Sequence, residues 1–201
     1  MLIVLLLAGA LLVVSSSTRL MLLGYMMLAS TACTLSFPAV TGSAATIGLF
    51  ILILIVKLGV VPAGILSFVR KNPQADDLRS SGSVPARLLL TIAFAIAARI
   101  VAHATLFASI ENSGFIAFTL LCSLGTLLVH RNLLSHVLGL LALGAAVTLA
   151  GPALVPGFPA TVELGVSFDA LVAVFIGLAL MRAFLKNTSV LDVENLRELH
   201  G

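Results

Sequence analysis

Five ionisable side chains stand inside long apolar runs: Lys57, Arg99, His103, Glu163 and Asp169. Lys57 lies in Leu54-Ile55-Val56-Lys57-Leu58-Gly59-Val60-Val61-Pro62. Pro62 lacks an N–H, so it frees a carbonyl one helical turn back, near Leu58. An amine beside a loosened backbone suits proton relay, because a desolvated lysine can lose its proton and an arginine cannot. The plainer reading of Lys57 is a structural ion pair. Arg99 and His103 are four residues apart, hence on one helix face. Arg99 suits an ion-pair anchor. His103 is either a proton carrier or a histidine held by a simple hydrogen bond. Glu163 and Asp169 open the last apolar run, with Asp169 ~9 Å deeper along a helix. An Asp169–Arg99 pair would neutralise both charges, and a buried salt bridge is the expected arrangement. Glu111, His130 and His136 fall at the ends of runs and are expected to be solvated. No Walker loop, dinucleotide fingerprint, nucleophile elbow or Cys/His cluster is present.

These groups need helices in a bilayer to position them. Of the 201 residues, 60% are apolar and only 9% charged, whereas a soluble domain carries roughly 25% charged residues. Mean hydropathy is +1.21. The apolar runs cover about 1–17, 20–40, 44–69, 86–108, 113–130, 133–152 and 162–185, each close to the ~20 residues a membrane helix requires. The first of them lacks the positive flank of a secretory signal and reads as a membrane helix. Residues 1–185 form one transmembrane domain and 186–201 a cytoplasmic tail. Lys57 then sits 13 residues into its span, near mid-membrane. Charge outside the spans alternates: Arg19; then Arg70, Lys71, Arg79 and Arg87; then Arg131; then Arg182, Lys186 and Arg197. The intervening connections, near 41–46, 109–113 and 151–161, carry no Lys or Arg. This positive-inside pattern predicts an all-α bundle of about seven spans with its N-terminus outside and its C-terminus in the cytoplasm. The net charge of +3 reflects those loops and does not indicate nucleic acid. Cys33 and Cys122 lie in apolar runs and are expected to be small packing residues. Gly139, Ala142, Ala146 and Ala150 make a smooth face for close helix approach.

The tail Leu191-Asp192-Val193-Glu194-Asn195-Leu196-Arg197-Glu198-Leu199-His200-Gly201 resembles the closing segment of the hydrogenase-4 component E family. So do Glu163-Leu164-Gly165-Val166, Asp169-Ala170-Leu171-Val172-Ala173-Val174, Val56-Lys57-Leu58-Gly59-Val60-Val61-Pro62, and the Arg131-Asn132-Leu133-Leu134 turn leading to Gly139. The resemblance runs from about Arg19 to the C-terminus and is carried by the order of these segments. It implies a membrane subunit of a formate hydrogenlyase-type or related group 4 [NiFe]-hydrogenase complex, partly similar to the K-subunit of complex I. Lys57, Glu163 and Asp169 match polar positions of that family. Relatives carry a glutamate where this chain has Gly144, in Leu143-Gly144-Ala145-Ala146, and glycine cannot carry a proton.

The resulting expectation is a non-catalytic membrane subunit linking a redox module to antiporter-like subunits and lining part of an ion path. It would hold no cofactor, with iron–sulfur clusters and a NiFe centre in partner subunits. Its partners would be membrane lipid, antiporter-like subunits and a quinone- or hydrogenase-anchor-like subunit, in a bacterial or archaeal cytoplasmic membrane. The alternative is a subunit of a multisubunit cation/proton antiporter without a redox partner. An independent transporter should show an internal repeat with paired broken helices, and none is evident.

Overall fold

In lipid a backbone has no hydrogen-bond partner but itself, and long apolar runs become helices. The computed structural model describes residues 2–40, 44–76, 82–104, 113–154 and 160–187. Among them the regular elements are all helical: α1 (Leu2–Val14), α2 (Thr18–Val40), α3 (Ala44–Leu54), a π-helical segment (Ile55–Val60), α4 (Val61–Lys71), a 3₁₀ turn (Pro73–Ala75), α5 (Val84–His103), α6 (Ser113–Val129), α7 (Leu133–Leu154) and α8 (Ala160–Asn187). Because α3, the π segment and α4 follow without a break, the described residues form seven rods. They match the seven apolar runs to within a few residues. Five stretches are long and apolar enough to cross a membrane: Thr18–Leu35, Ile47–Lys71, Val84–His103, Leu133–Gly151 and Leu164–Ala183. The helices α1 and α6 are apolar but shorter, with 13 and 17 residues, or about 20 and 25 Å.

Four helices close into a square: α1 packs on α2, α2 on α7, α7 on α6, and α6 back on α1. One flank is α5, against α1 and α6; the other is α8 with α3, the π segment and α4, against α7 and α2. Burial follows this plan. The spans in α2 and α7 are 56% and 61% buried, and those in α5 and α8 only 17% and 28%. Tyr25, Leu28, Ile65, Phe68, Leu138 and Met181 fill the main core.

Small residues set the helix spacing. A Cβ at Gly24 would come within 2.9 Å of the Ala8 carbonyl oxygen, so α1 and α2 touch backbone to backbone. Ala142 and Ala146 are fully buried, and a Cβ at Gly139 would meet Leu127 of α6 at 2.7 Å. The small-residue face of α7 is therefore a packing face, as expected. Cys33 and Cys122 are buried and unoxidised. On α6 the hydroxyls of Thr119, Ser123 and Thr126 donate to carbonyls four residues back, so their polarity is absorbed within the helix.

The connections that carry Lys and Arg meet at one end of the bundle. Thr18 donates to the Ala75 carbonyl at 2.7 Å, and Asp76 accepts from Ser17 and from the Arg19 backbone. Arg19 and Asp76 also form an ion pair, N···O 3.2 Å. Arg87 donates to the Ser15 carbonyl at 3.4 Å, and His130 lies 3.3 Å from the Leu12 carbonyl.

Candidate functional site

The sequence around Lys57 folds as it does because of Pro62. Before it the helix widens to π winding, and the Val61 N–H reaches back five residues to the Val56 carbonyl. In that register the next donor would be the nitrogen of residue 62, which in proline has no hydrogen. The carbonyl five residues before it is that of Lys57, and Tyr25 Oη of α2 donates to it at 3.3 Å. Counting back in ordinary α register points to Leu58; π winding moves the affected carbonyl one residue earlier.

The Lys57 side chain is 3% exposed. Its Nζ donates a short hydrogen bond to Thr148 Oγ1 on α7. Thr148 in turn donates to the Gly144 carbonyl at 3.1 Å. Lys57 is thus clamped at both ends, by its carbonyl to α2 and by its ammonium to α7, the two most buried helices. The hydroxyl between Lys57 and Gly144 ends on a backbone carbonyl. These bonds hold the Lys57 amine in place against α7. At Gly144 an added Cβ would have Val166 Cγ1 as its nearest neighbour, at 3.9 Å, so the first atom of a side chain fits there. Lys57 and Gly144, 87 positions apart, therefore belong to one site.

The other expected groups go elsewhere. Arg99 and Asp169 do not meet: Arg99 is on α5 and Asp169 on α8, on opposite flanks of the square, and both side chains are exposed on the isolated chain. The expected ion pair between them is replaced by two separate outward charges. Arg99 borders a cavity of about 330 Å³ between α1, α5 and α6, lined by Leu6, Ala98, Ser113 and Phe118 among others. His103 is exposed as the last residue of α5. Glu163 belongs to the first turn of α8, and its side chain lies outside the described residues, as do Glu111 and the tail 188–201.

His130 corrects another expectation. Rather than being solvated, it is 1% exposed; the short turn into α7 folds it under α1. Burial pushes its pKa below the usual histidine value, and the neighbouring Arg87 guanidinium pushes the same way. Arg87, grouped with the loop cations in the sequence, is also buried, at 5% exposed. Tyr25 and Thr148 carried no sequence signal beyond Tyr25 being the sole tyrosine and Thr148 standing four residues after Gly144. Among the described residues no group of three or more His, Cys, Asp or Glu is arranged to hold a metal ion.

No family model matches the chain, and no curated protein and no solved structure matches it either.

Proposed function

We propose that the chain is a non-catalytic linking subunit of a larger membrane assembly, of the complex-I-like, group 4 hydrogenase-related kind that its sequence resembles. The observation that carries the subunit reading is the outward placement of Asp169 on α8. A charge at the bilayer centre costs about 2.5–3.5 kcal/mol or more, and the short aspartate side chain cannot reach the interface as the Arg99 stem can, so the α8 flank calls for a neighbour. The linking role and the nature of the assembly rest on the resemblance alone.

In this reading α1 and α6 span together with the five longer rods, the N-terminus is outside, and the Lys/Arg-bearing end faces the cytoplasm of a bacterium or archaeon. Lys57 is an anchor that fixes the wound-out turn of the third rod to α2 and α7. Its partners Thr148 and the Gly144 carbonyl support holding over relaying, and the missing carboxylate at Gly144 agrees with this.

Two measurements test the proposal. Purification in mild detergent should bring down iron–sulfur and NiFe-type subunits; antiporter subunits alone would favour the cation/proton antiporter alternative. In reconstituted vesicles Lys57→Met should lower redox activity and proton movement in step, as assembly falls. A collapsed ratio of protons to electrons in a fully assembled complex would make Lys57 a relay and overturn the anchor.

A further inference from the structure

We infer that the outward face of α8 is a docking surface for a transmembrane helix of a neighbouring subunit, and that this helix brings a cation opposite Asp169. The inference rests on the multisubunit reading above and assigns one of its contacts.

Among the described residues, the elements that pack on α8 pack on its other side. Ser167, Val174, Gly177, Leu178 and Met181 are buried, against α7, α3, α4 and the π segment. At about 100° per residue, the exposed residues Gly165, Phe168, Asp169, Val172, Phe175, Ile176 and Ala183 share the opposite face. Asp169 lies within about 40° of the centre of that face. The face is shaped for a helix. Gly165 has no atom within 4 Å of an added Cβ and Ala183 is exposed on the same line, leaving room for a neighbour at those two levels, while Val172 and Ile176, 41% and 55% exposed, offer it apolar contact between them. Phe168 and Phe175, 64% and 62% exposed, stand at its edge as apolar walls.

Charge selects the occupant. Asp169 is five residues inside the Leu164–Ala183 span, ~7.5 Å along the axis. Arginine and lysine can bend long stems to the interface, but the single methylene of aspartate cannot. Lipid headgroups, with their ammonium groups, lie outside the hydrocarbon core, whereas Asp169 is inside the span. What remains is a cation or strong donor presented at that depth by protein. A second copy of this chain would offer Arg99 from its α5 flank. That contact is head-to-tail, so it would repeat into a ring or an open array, which does not suit a link between two different neighbours.

The test places a photo-crosslinking residue at Val172 or at Ile176 of the full chain in its native membrane. The expected product joins a different polypeptide, at a membrane-helix peptide with Lys, Arg or His within one turn of the joined residue. Asp169→Asn, which keeps the size, should lower its yield roughly tenfold, equivalent to about 1.4 kcal/mol of contact. Asp169→Lys should abolish it, and exchange of the partner's cation for Asp should restore it. Chain abundance in the membrane controls for folding. Adducts only with lipid, adducts with α5 of a second copy, or an unchanged yield in Asp169→Asn would each overturn the docking surface. If partner subunits co-purify while no adduct forms, the assembly stands and this surface falls. If the chain purifies alone, the assembly falls, and the surface with it.

Discussion

Two glycines in this chain do opposite things, and substitution separates them. At Gly24 a methyl group would enter the contact with the Ala8 carbonyl, 2.9 Å away; Gly24→Ala should destabilise by about 1–3 kcal/mol, the usual cost of forcing atoms into a tight core. At Gly144 the methyl group meets nothing closer than 3.9 Å, and a mid-helix glycine gives up backbone entropy on folding. Gly144→Ala should therefore gain about 0.5–1 kcal/mol. Unfolding midpoints of both variants in one detergent check the pair, and similar losses at both positions would contradict it. His130 supplies a pH dependence. Its folded pKa is lowered by burial and by Arg87, with His136 adding in the same sense, so the unfolded chain binds more protons below about pH 6.5. Stability should be constant above that pH and fall as the pH drops through the unfolded value. The variant His130→Gln should flatten that fall, as read by thermal unfolding at pH 7.5 and 5.5.

At the scale of elements, the wound-out turn before Pro62 gives a coupled prediction. Tyr25→Phe removes the hydrogen bond from Tyr25 to the Lys57 carbonyl, at a cost of about 1 kcal/mol. With Pro62→Ala the nitrogen of residue 62 regains its hydrogen and can serve the same carbonyl. The loss from Tyr25→Phe should then shrink, measured as a double-mutant cycle. Independent, additive losses would show that Tyr25 acts only by packing. Helix existence was legible throughout, because hydropathy runs and their polar breaks fix where rods begin and end. Arg99 and Asp169 each lie within five residues of the end of their span that is away from the basic connections, near one level. What the residues could not convey was azimuth. Counting along a helix gives height but not the flank on which the helix will lodge, and the Arg99–Asp169 pair fails for that reason alone. The burial of His130 and Arg87 escaped for a related cause, since a polar residue at the end of an apolar run looks alike whether a neighbouring helix covers it or not. Lys57 and Gly144 each stood out in the sequence, but their common site depended on Thr148, a residue with no pattern to mark it.

For the whole molecule, the alternating Lys and Arg make a prediction that the packing supports from another direction. Ser17, Asp76, Arg87 and His130, at three different connections, gather at one end, as successive antiparallel rods require. A reporter fused after Gly201 should read cytoplasmic, and one inserted in 151–161 external. Two reporters on one side would sink the seven-span topology.

The square of α1, α2, α6 and α7 is discontinuous along the chain, and this bears on how the protein is made. Its first two sides are finished at Val40, but the other two start only at Ser113 and Leu133. The helices described between them, α3 to α5, pack on the flanks. At about 5–20 residues per second, the α1–α2 hairpin waits several seconds or longer for the surfaces that will cover it. Throughout that wait Tyr25 and the α2 side of the future core face lipid, the insertion machinery or each other. Lys57 enters the bilayer before Thr148 exists to receive it. Biogenesis therefore passes through a stage in which half of the eventual centre is its periphery, and a chain stopped at Ala104 should be open to protease and quality control in a way that one stopped after Leu154 is not.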